Sequence, residues 1–142
     1  MLILSRFVLT LYGGSLMRTK QDIEQYMIEM DLEFEEIRDG VYHILDDLED
    51  INDIFILFTP PIVTFMVRLM PVPEEKREEF YHLLLELNGQ MIAGAYSIED
   101  TTVVLSDTLQ TENLDFNEFQ ASIESLATAL VEDYPQLAMY KF

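Results

Sequence analysis

The sequence contains no cysteine. Disulfide bonds, zinc–thiolate sites and cysteine nucleophiles are therefore excluded, and the absence fits the reducing cytoplasm, where we expect this protein to be located. Long apolar runs are also missing, because none reaches the roughly 18 residues that a membrane-spanning helix requires. We accordingly expect no membrane association.

Positive charge is scarce. The chain has 8 Lys+Arg against 27 Asp+Glu, which gives a net charge of −19. A surface of this sign repels phosphate groups, so nucleic acids and anionic membranes are disfavoured as partners, whereas a basic protein segment or a metal ion would be attracted. Hydrophobic residues make up 49% of the 142 residues, which is enough for one folded domain with its own core.

Catalytic motifs are missing as well. His43 and His82 stand in no metal-binding spacing such as H-E-x-x-H, and no serine lies in G-x-S-x-G. Carboxylates are too numerous for any general acid/base pair to be singled out. The sequence therefore predicts a protein that is not an enzyme, with no catalytic residues, no cofactor and no metal site.

The acidic run Asp46–Asp53 is the strongest argument for a cation site, because Ca²⁺ prefers several oxygen ligands. Counted from Asp46, however, an EF-hand loop would have Leu48 at a ligand position, Ile51 at the glycine position and Leu57 at the final glutamate position. We therefore interpret the run as a solvated loop.

The chain divides into an N-terminal extension, residues 1–16, and a single domain, residues 17–142. Gly13-Gly14 can be encoded by the core of a bacterial ribosome-binding sequence just before Met17. One hypothesis is therefore that natural translation starts at Met17 and that the extension is leader sequence read in frame.

Three other interpretations of this extension stay open. A signal peptide would have an unusually short apolar core, Phe7–Leu11, and no small-x-small cleavage site before Met17. The apolar residues could also form a genuine strand or helix that packs on the domain. Gly13-Gly14-Ser15, ahead of Arg18, has the ingredients of an anion-binding loop but matches neither a P-loop nor a dinucleotide fingerprint.

The strongest strand and helix signals lie together between Asp53 and Gly89. Ile54–Phe58 and Ile62–Leu69 are rich in β-branched and aromatic residues and predict a hairpin that turns at Pro60-Pro61. An amphipathic helix is expected over Glu74–Asn88, with Pro73 near its first turn and Gly89 in the left-handed conformation after its end.

The remaining elements follow from periodicity and capping signals. Thr19 and Asp22 begin a first helix, Asp39-Gly40 joins two strands, and Asp115 with Glu118 begins a third helix that we expect Pro135 to end. The strands around these signals are Leu32–Arg38, Val41–Leu45, Ile92–Ile98 and Thr102–Leu109. Because strands are grouped between helices, the predicted class is α+β, an antiparallel sheet with three helices in the order α-β(3-4)-α-β-β-α.

Alternation along the strand Ile62–Leu69 separates two faces. Val63, Phe65, Val67 and Leu69 would meet the helices, whereas Ile62, Thr64, Met66 and Arg68 point the other way. The second set is half apolar and half polar, which is typical of a surface that a partner covers part of the time. We predict it to be the partner-binding face; a sheet face that is simply wetted by solvent is the alternative.

Several motifs occur in the order of a known family. They are Gly40-Val41-Tyr42, Phe65–Leu69 leading to Val72-Pro73 and Phe80, Leu84–Asn88, Ala95–Asp100, and Leu114-Asp115 with Glu118-Phe119. With these motifs the chain resembles, over about Met17–Tyr134, the YbjN-like family of bacterial sensory transduction regulators, which shares the architecture of type III secretion chaperones.

The resemblance implies a function as well as a fold. Chaperones of this kind are small, acidic, cytoplasmic homodimers that hold an extended segment of a client, often as an added strand of the sheet. We therefore expect a non-enzymatic protein-binding module, chaperone-like or regulatory, that acts as a homodimer on a protein partner. The alternative is a regulator that responds to a small molecule or a cation.

Overall fold

The computed structural model describes residues 16–46 and 51–141. Its helices are α1 (Lys20–Glu29), α2 (Arg77–Gln90) and α3 (Phe116–Ala138). Its strands are β1 (Phe34–Arg38), β2 (Val41–Ile44), β3 (Ile54–Thr59), β4 (Ile62–Pro71), β5 (Ala95–Glu99) and β6 (Thr102–Gln110). Within these two ranges, no helix combines the length and the apolar character needed to cross a bilayer.

The six strands form one antiparallel sheet in the order β1-β2-β3-β4-β6-β5. The three helices pack against one face of it. Tyr42 on β2 bonds to Glu24 of α1, Phe65 on β4 packs edge-on against Phe119 of α3, and Tyr96 on β5 lies beside α2 and α3. The α+β class and the antiparallel sheet predicted from the sequence are confirmed.

The core lies between the helices and this face. The alternation predicted for β4 is confirmed, because Val63, Phe65, Val67 and Leu69 are all buried. The bulge between Arg68 and Met70 interrupts the pairing with β6 and adds Met70 to the buried set.

The first helix is fixed at its beginning and tied to the first hairpin. Thr19 and Asp22 form the predicted capping box. Lys20 Nζ lies 3.0 Å from Glu36 and 2.8 Å from Asp39. Both carboxylates raise the pKa of Lys20, and the pKa of Glu36 is lowered by the Gly40 N–H that it accepts and by Lys20.

The second helix differs from its prediction at both ends. It begins at Arg77 rather than Glu74, because the N–H of Val72 still bonds to the Thr101 carbonyl and keeps the chain beside the sheet. Lys76, with φ 58°, then turns the chain into the helix. At the other end Gly89 is helical and not the left-handed residue we expected, since α2 continues to Gln90.

The strand that follows is shorter than predicted. Ile92 is 98% exposed and lies outside β5, which begins only at Ala95. Gly94, with φ +82°, separates the two, and a Cβ there would lie 2.8 Å from the Ser106 carbonyl oxygen. The backbone therefore has to turn at Gly94 before it can pair with β6.

The third helix does not end at Pro135 as predicted. It starts with the expected Asp115–Glu118 capping box and continues through Pro135 to Ala138. Pro135 is exposed, whereas Leu137, two residues later, is fully buried. Burial of this last turn offsets the hydrogen bond that the proline removes.

Candidate partner-binding face

The predicted partner-binding residues lie together on the sheet face opposite the helices, which we call the open face. Ile62, Thr64, Met66 and Arg68 occupy alternate positions of β4 and are all half-buried. Strand pairing extends Thr64 and Met66 into rows that continue through β3 to β2, whereas the rows through Ile62 and Arg68 are shorter. The face is therefore continuous rather than a single strand.

The row through Met66 has large apolar side chains at its centre and polar ones beside them. Register aligns Met66 with Phe55, His43 and Glu35 on one side and with Ser106 and Ala95 on the other. The His43 ring stacks on Phe55 with centroids 5.2 Å apart, and its Nε2 lies 2.7 Å from the Asn52 carbonyl oxygen. This histidine thus belongs to the open face and is held by one backbone contact.

The neighbouring row mixes apolar and hydroxyl side chains. Thr64 lies opposite Leu57, which in turn pairs with Val41. On its other side the Thr64 hydroxyl oxygen lies 3.4 Å from that of Thr108. The row can bury methyl groups and still offer hydrogen bonds.

Arg68 marks the limit of the accessible apolar surface near the end of β4. Its guanidinium lies 3.6 Å from Glu99 of β5, so the pair spans the intervening strand β6. Val104, which pairs with Arg68, has 0% exposure although it belongs to the open face. The ion pair thus shields this position, and the accessible apolar surface is centred on Met66.

The two edges of the sheet differ. At β5, the side chain of Asn88 accepts the Tyr96 N–H at 2.6 Å and donates to the Tyr96 carbonyl at 3.0 Å. It thereby takes both hydrogen bonds that an added strand would use at that residue. Among the described side chains, none binds the backbone of β1 in this way.

Two buried tyrosines are hydrogen-bond donors to carboxylates. The Tyr96 hydroxyl donates to Asp133 at 2.8 Å, and the Tyr42 hydroxyl donates to Glu24 at 2.6 Å. Burial, together with the neighbouring carboxylate, raises the pKa of each tyrosine well above its usual value. Both are therefore protonated at neutral pH and connect a helix to the sheet.

Most of the other candidates from the sequence lie outside the described residues, and those that lie inside are not brought together. Of the acidic run, Asp47–Asp50 lie outside the described residues; within the described ranges, no group of three potential ligands could hold a metal ion. His82 is exposed on α2, 3.6 Å from Glu86 one turn later. The Gly13–Ser15 loop, the signal-peptide core and the leader hypothesis all concern residues outside the described ranges.

Sequence reasoning missed the contact of Asn88 with β5. Asn88 was interpreted only as the end of α2, since an Asn-Gly pair is a frequent helix terminator. Its contact with Tyr96 depends on how the helix lies along the sheet, and no local pattern carries that information. The open face was found because strand alternation is local.

Comparison with known proteins agrees with this architecture. Solved structures with the same fold include YbjN from E. coli, at 13% identity and a TM-score of 0.67, with 87% of this chain and 96% of that chain covered. A chain of the heterodimeric ExoU–SpcU complex from the type III secretion system of Pseudomonas aeruginosa gives 16% identity and a TM-score of 0.61, covering 83% of this chain and 96% of the other. A chain of the HopA1–SchA chaperone–effector complex has 9% sequence identity and a TM-score of 0.55, with 77% of this chain and 87% of that chain covered.

At these identities the solved structures establish the fold alone. Among curated protein sequences, none matches this chain. The CesT_Tir_1 family model matches residues 16–141, which is nearly the whole chain. The chain therefore belongs to the CesT_Tir_1 family, a type III secretion chaperone family, and has a YbjN-like, secretion chaperone-like fold.

Proposed function

We propose that this protein is a non-enzymatic protein-binding module, chaperone-like or regulatory, that acts as a homodimer and holds an extended segment of a partner protein. Membership of the CesT_Tir_1 family supports a protein-binding role. So does the similarity to chains from two complexes, one of them named as a chaperone bound to its effector. A cytoplasmic location is part of the same proposal.

The open face is the observation that carries the proposal. A sheet face that is permanently wetted can be polar throughout, but here Phe55, Leu57, Ile62 and Met66 are apolar and only half-buried. Threonines and an ion pair surround them. This mixture of an apolar centre and a polar surround is what a protein interface requires.

The edge at β1 suggests how a segment would be held. A client strand can extend the sheet only where backbone N–H and C=O groups are unpaired. Asn88 occupies part of the β5 edge, so addition beside β1 is the arrangement we propose. The alternate side chains of such a strand would lie beside Glu35 on the same side of the sheet as the open face, and the adjoining part of the partner would cover the surface around Met66.

The charge of the molecule indicates the composition of the segment. At a net charge of −19, an acidic client would be repelled over the whole surface. We propose a segment with alternating apolar residues and an excess of Lys and Arg.

Affinity capture from lysate of the source cells, with a matched pair of variants, tests the role of the face. Met66→Glu places a carboxylate at the centre of the open face, whereas Thr128→Glu places one on the exposed side of α3. We expect wild type and Thr128→Glu to retain the same partner, and Met66→Glu to lose it while its circular dichroism spectrum stays unchanged. Retention by a folded Met66→Glu variant would contradict the proposed face.

Sedimentation equilibrium tests the homodimer separately. We expect a mass of twice the 16.6 kDa of one chain at micromolar concentration. A monomer at all concentrations, with nothing retained from lysate, would overturn the proposal as a whole.

A second candidate is a regulator that responds to a small molecule, and a cavity on the other side of the sheet favours it. A cation-responsive form of this candidate makes its own prediction. Millimolar Ca²⁺ would raise the melting temperature whereas Mg²⁺ would not, because a ligand that binds only the native state stabilises it. Equal effects of the two ions would remove the calcium version.

A further inference from the structure

A cavity of about 180 Å³ lies on the helix side of the sheet, between strands β2 to β4 and helix α3. Its lining includes Ile44, Ile56, Phe65, Leu126, Ala127 and Leu130. Asp46, an exposed residue two positions after β2 whose Oδ2 accepts the Glu33 N–H at 3.4 Å, lines the same cavity and is the one residue with a polar side chain among the described residues that do so. The cavity is thus apolar with one carboxylate.

The size of the cavity limits what could occupy it. An engineered apolar cavity of about 150 Å³ in another protein is large enough to bind benzene. A cavity of about 180 Å³ therefore accommodates one six-membered ring with little to spare. A ring placed there would gain dispersion contacts with side chains that otherwise face open space.

The charge of the site decides between ligands of this size. Asp46 begins the acidic run of the sequence, and the whole chain carries a net charge of −19. Such a field attracts cations and repels carboxylates and phosphates. A ring that carries an ammonium group can place its apolar part in the cavity and its charge beside Asp46.

We propose that this cavity binds a small apolar amine with a single aromatic ring, and that Asp46 pairs with its ammonium group. Most of its lining residues lie on the helix side of the sheet, and Phe55 and Met66 of the open-face strands also contribute to it. Ligand binding here would make the protein responsive to a small molecule in addition to its protein partner. This ligand rests on the second candidate function above, the small-molecule regulator: absence of ligand binding would remove that candidate, whereas the protein-binding function is tested separately by the capture from lysate.

Three compounds that share a benzene ring test the ligand class in the full-length protein. They are phenethylamine, which is cationic, ethylbenzene, which is neutral, and 3-phenylpropanoate, which is anionic. Binding is measured by titration calorimetry and by the shift in melting temperature. We expect phenethylamine to bind tightest and 3-phenylpropanoate to bind weakest. If the carboxylate binds as tightly as the amine, or none of the three binds, the proposal is wrong.

The carboxylate is tested by Asp46→Asn. We expect this change to weaken phenethylamine by about two- to fivefold, the range for one exposed ion pair, and to leave ethylbenzene unchanged. An unchanged affinity for the amine would exclude Asp46 as its partner and overturn the assignment.

The place of binding is tested by filling the cavity. Ala127→Leu adds three carbon atoms to its lining, and Ala121→Leu makes the same change on the exposed side of α3. We expect the first variant to lose ethylbenzene and phenethylamine binding and the second to retain both. Ala127→Val serves where leucine prevents folding, and binding that persists in either folded Ala127 variant would overturn the proposal.

Discussion

Gly40 and Gly89 show how two glycines with similar sequence surroundings differ in the folded chain. Gly40 has φ +75°, and a Cβ there would lie 2.7 Å from the Phe58 carbonyl oxygen. Gly89 is inside α2, and a Cβ there would have no atom within 4 Å. Position 40 therefore requires glycine, both because φ is positive and because there is no room for a Cβ. Neither reason applies at position 89.

Alanine substitutions should have opposite effects at these two positions. Gly40→Ala should lower the free energy of unfolding by at least about 1–2 kcal/mol, because an L-residue is strained at positive φ. Gly89→Ala should raise it by up to about 1 kcal/mol, because alanine favours the helix. Urea denaturation measures both, and equal effects of the two changes would contradict the backbone conformations described here.

The sequence allowed one of these two glycines to be interpreted correctly. Asp39-Gly40 is a local hairpin signal that depends on no distant contact. Whether a helix stops at Asn88-Gly89 depends on what Asn88 contacts, and it contacts β5 eight residues later. Local patterns therefore predicted the hairpin and failed at the helix end.

The hydrogen bond between Tyr96 and Asp133 should make the free energy of unfolding decrease at alkaline pH. The pKa of Tyr96 is raised in the folded state by burial and by Asp133, whereas an unfolded tyrosine has a pKa of about 10. The stabilisation is therefore complete below about pH 10 and is lost as pH rises further, because the unfolded chain then releases its proton first.

Tyr96→Phe tests this contribution. It should lower stability at pH 7 by about 1–3 kcal/mol, since buried Asp133 loses its donor, and should make the decline above pH 10 less steep by up to about 1.4 kcal/mol per pH unit. Tyr81→Phe, at an exposed position of α2, is the control and should leave stability at pH 7 unchanged. An unaltered alkaline slope in Tyr96→Phe would show that another group titrates.

Among the elements, the two helices that begin with a capping box were predicted correctly at their beginning, whereas α2, which has no such cap, begins three residues later than predicted. The capping boxes at Thr19–Asp22 and Asp115–Glu118 involve residues only three apart, and both are present. Pro135 was expected to end α3, but the helix continues because Leu137 is buried. A cap is a local contact, whereas the end of α3 is decided by core packing.

Asn88 connects α2 to the edge of the sheet and should protect that edge. Asn88→Ala removes both hydrogen bonds to Tyr96, which should lower stability by about 1–3 kcal/mol and expose the edge of β5 to other strands. We expect increased self-association on concentration, measured by light scattering. Asn117→Ala, on the exposed side of α3, is the matched control.

The result for Asn88→Ala distinguishes two roles for this residue. Loss of stability together with self-association supports edge protection. Loss of stability without self-association would mean that Asn88 only holds α2 in place, and that β5 is not the protected edge that distinguishes it from β1.

At the scale of the whole molecule, the fold class and the open face followed from strand grouping and alternation. The cavity under α3 did not, because a volume depends on how side chains from distant elements fill the space between them. The acidic composition, in contrast, is a global property that needs no structure. It predicts how partner binding depends on salt concentration.

Binding of the partner should be sensitive to salt. Because the protein carries a net charge of −19, a basic segment is attracted at long range and its association is accelerated at low ionic strength. The association rate constant measured by surface plasmon resonance should fall by at least about tenfold between 50 mM and 500 mM NaCl, with a smaller change in dissociation. A rate constant that does not depend on salt would contradict a basic client.

Amide hydrogen exchange, compared between the free protein and the complex with its captured partner, tests the central claim most directly. If the partner binds as an extended strand, the amides of β1 (Phe34–Arg38) should exchange more slowly in the complex, and those of β5 should change little, since Asn88 already occupies part of that edge. Protection confined to the helices, with β1 unchanged, would contradict the account of an extended segment held at the sheet.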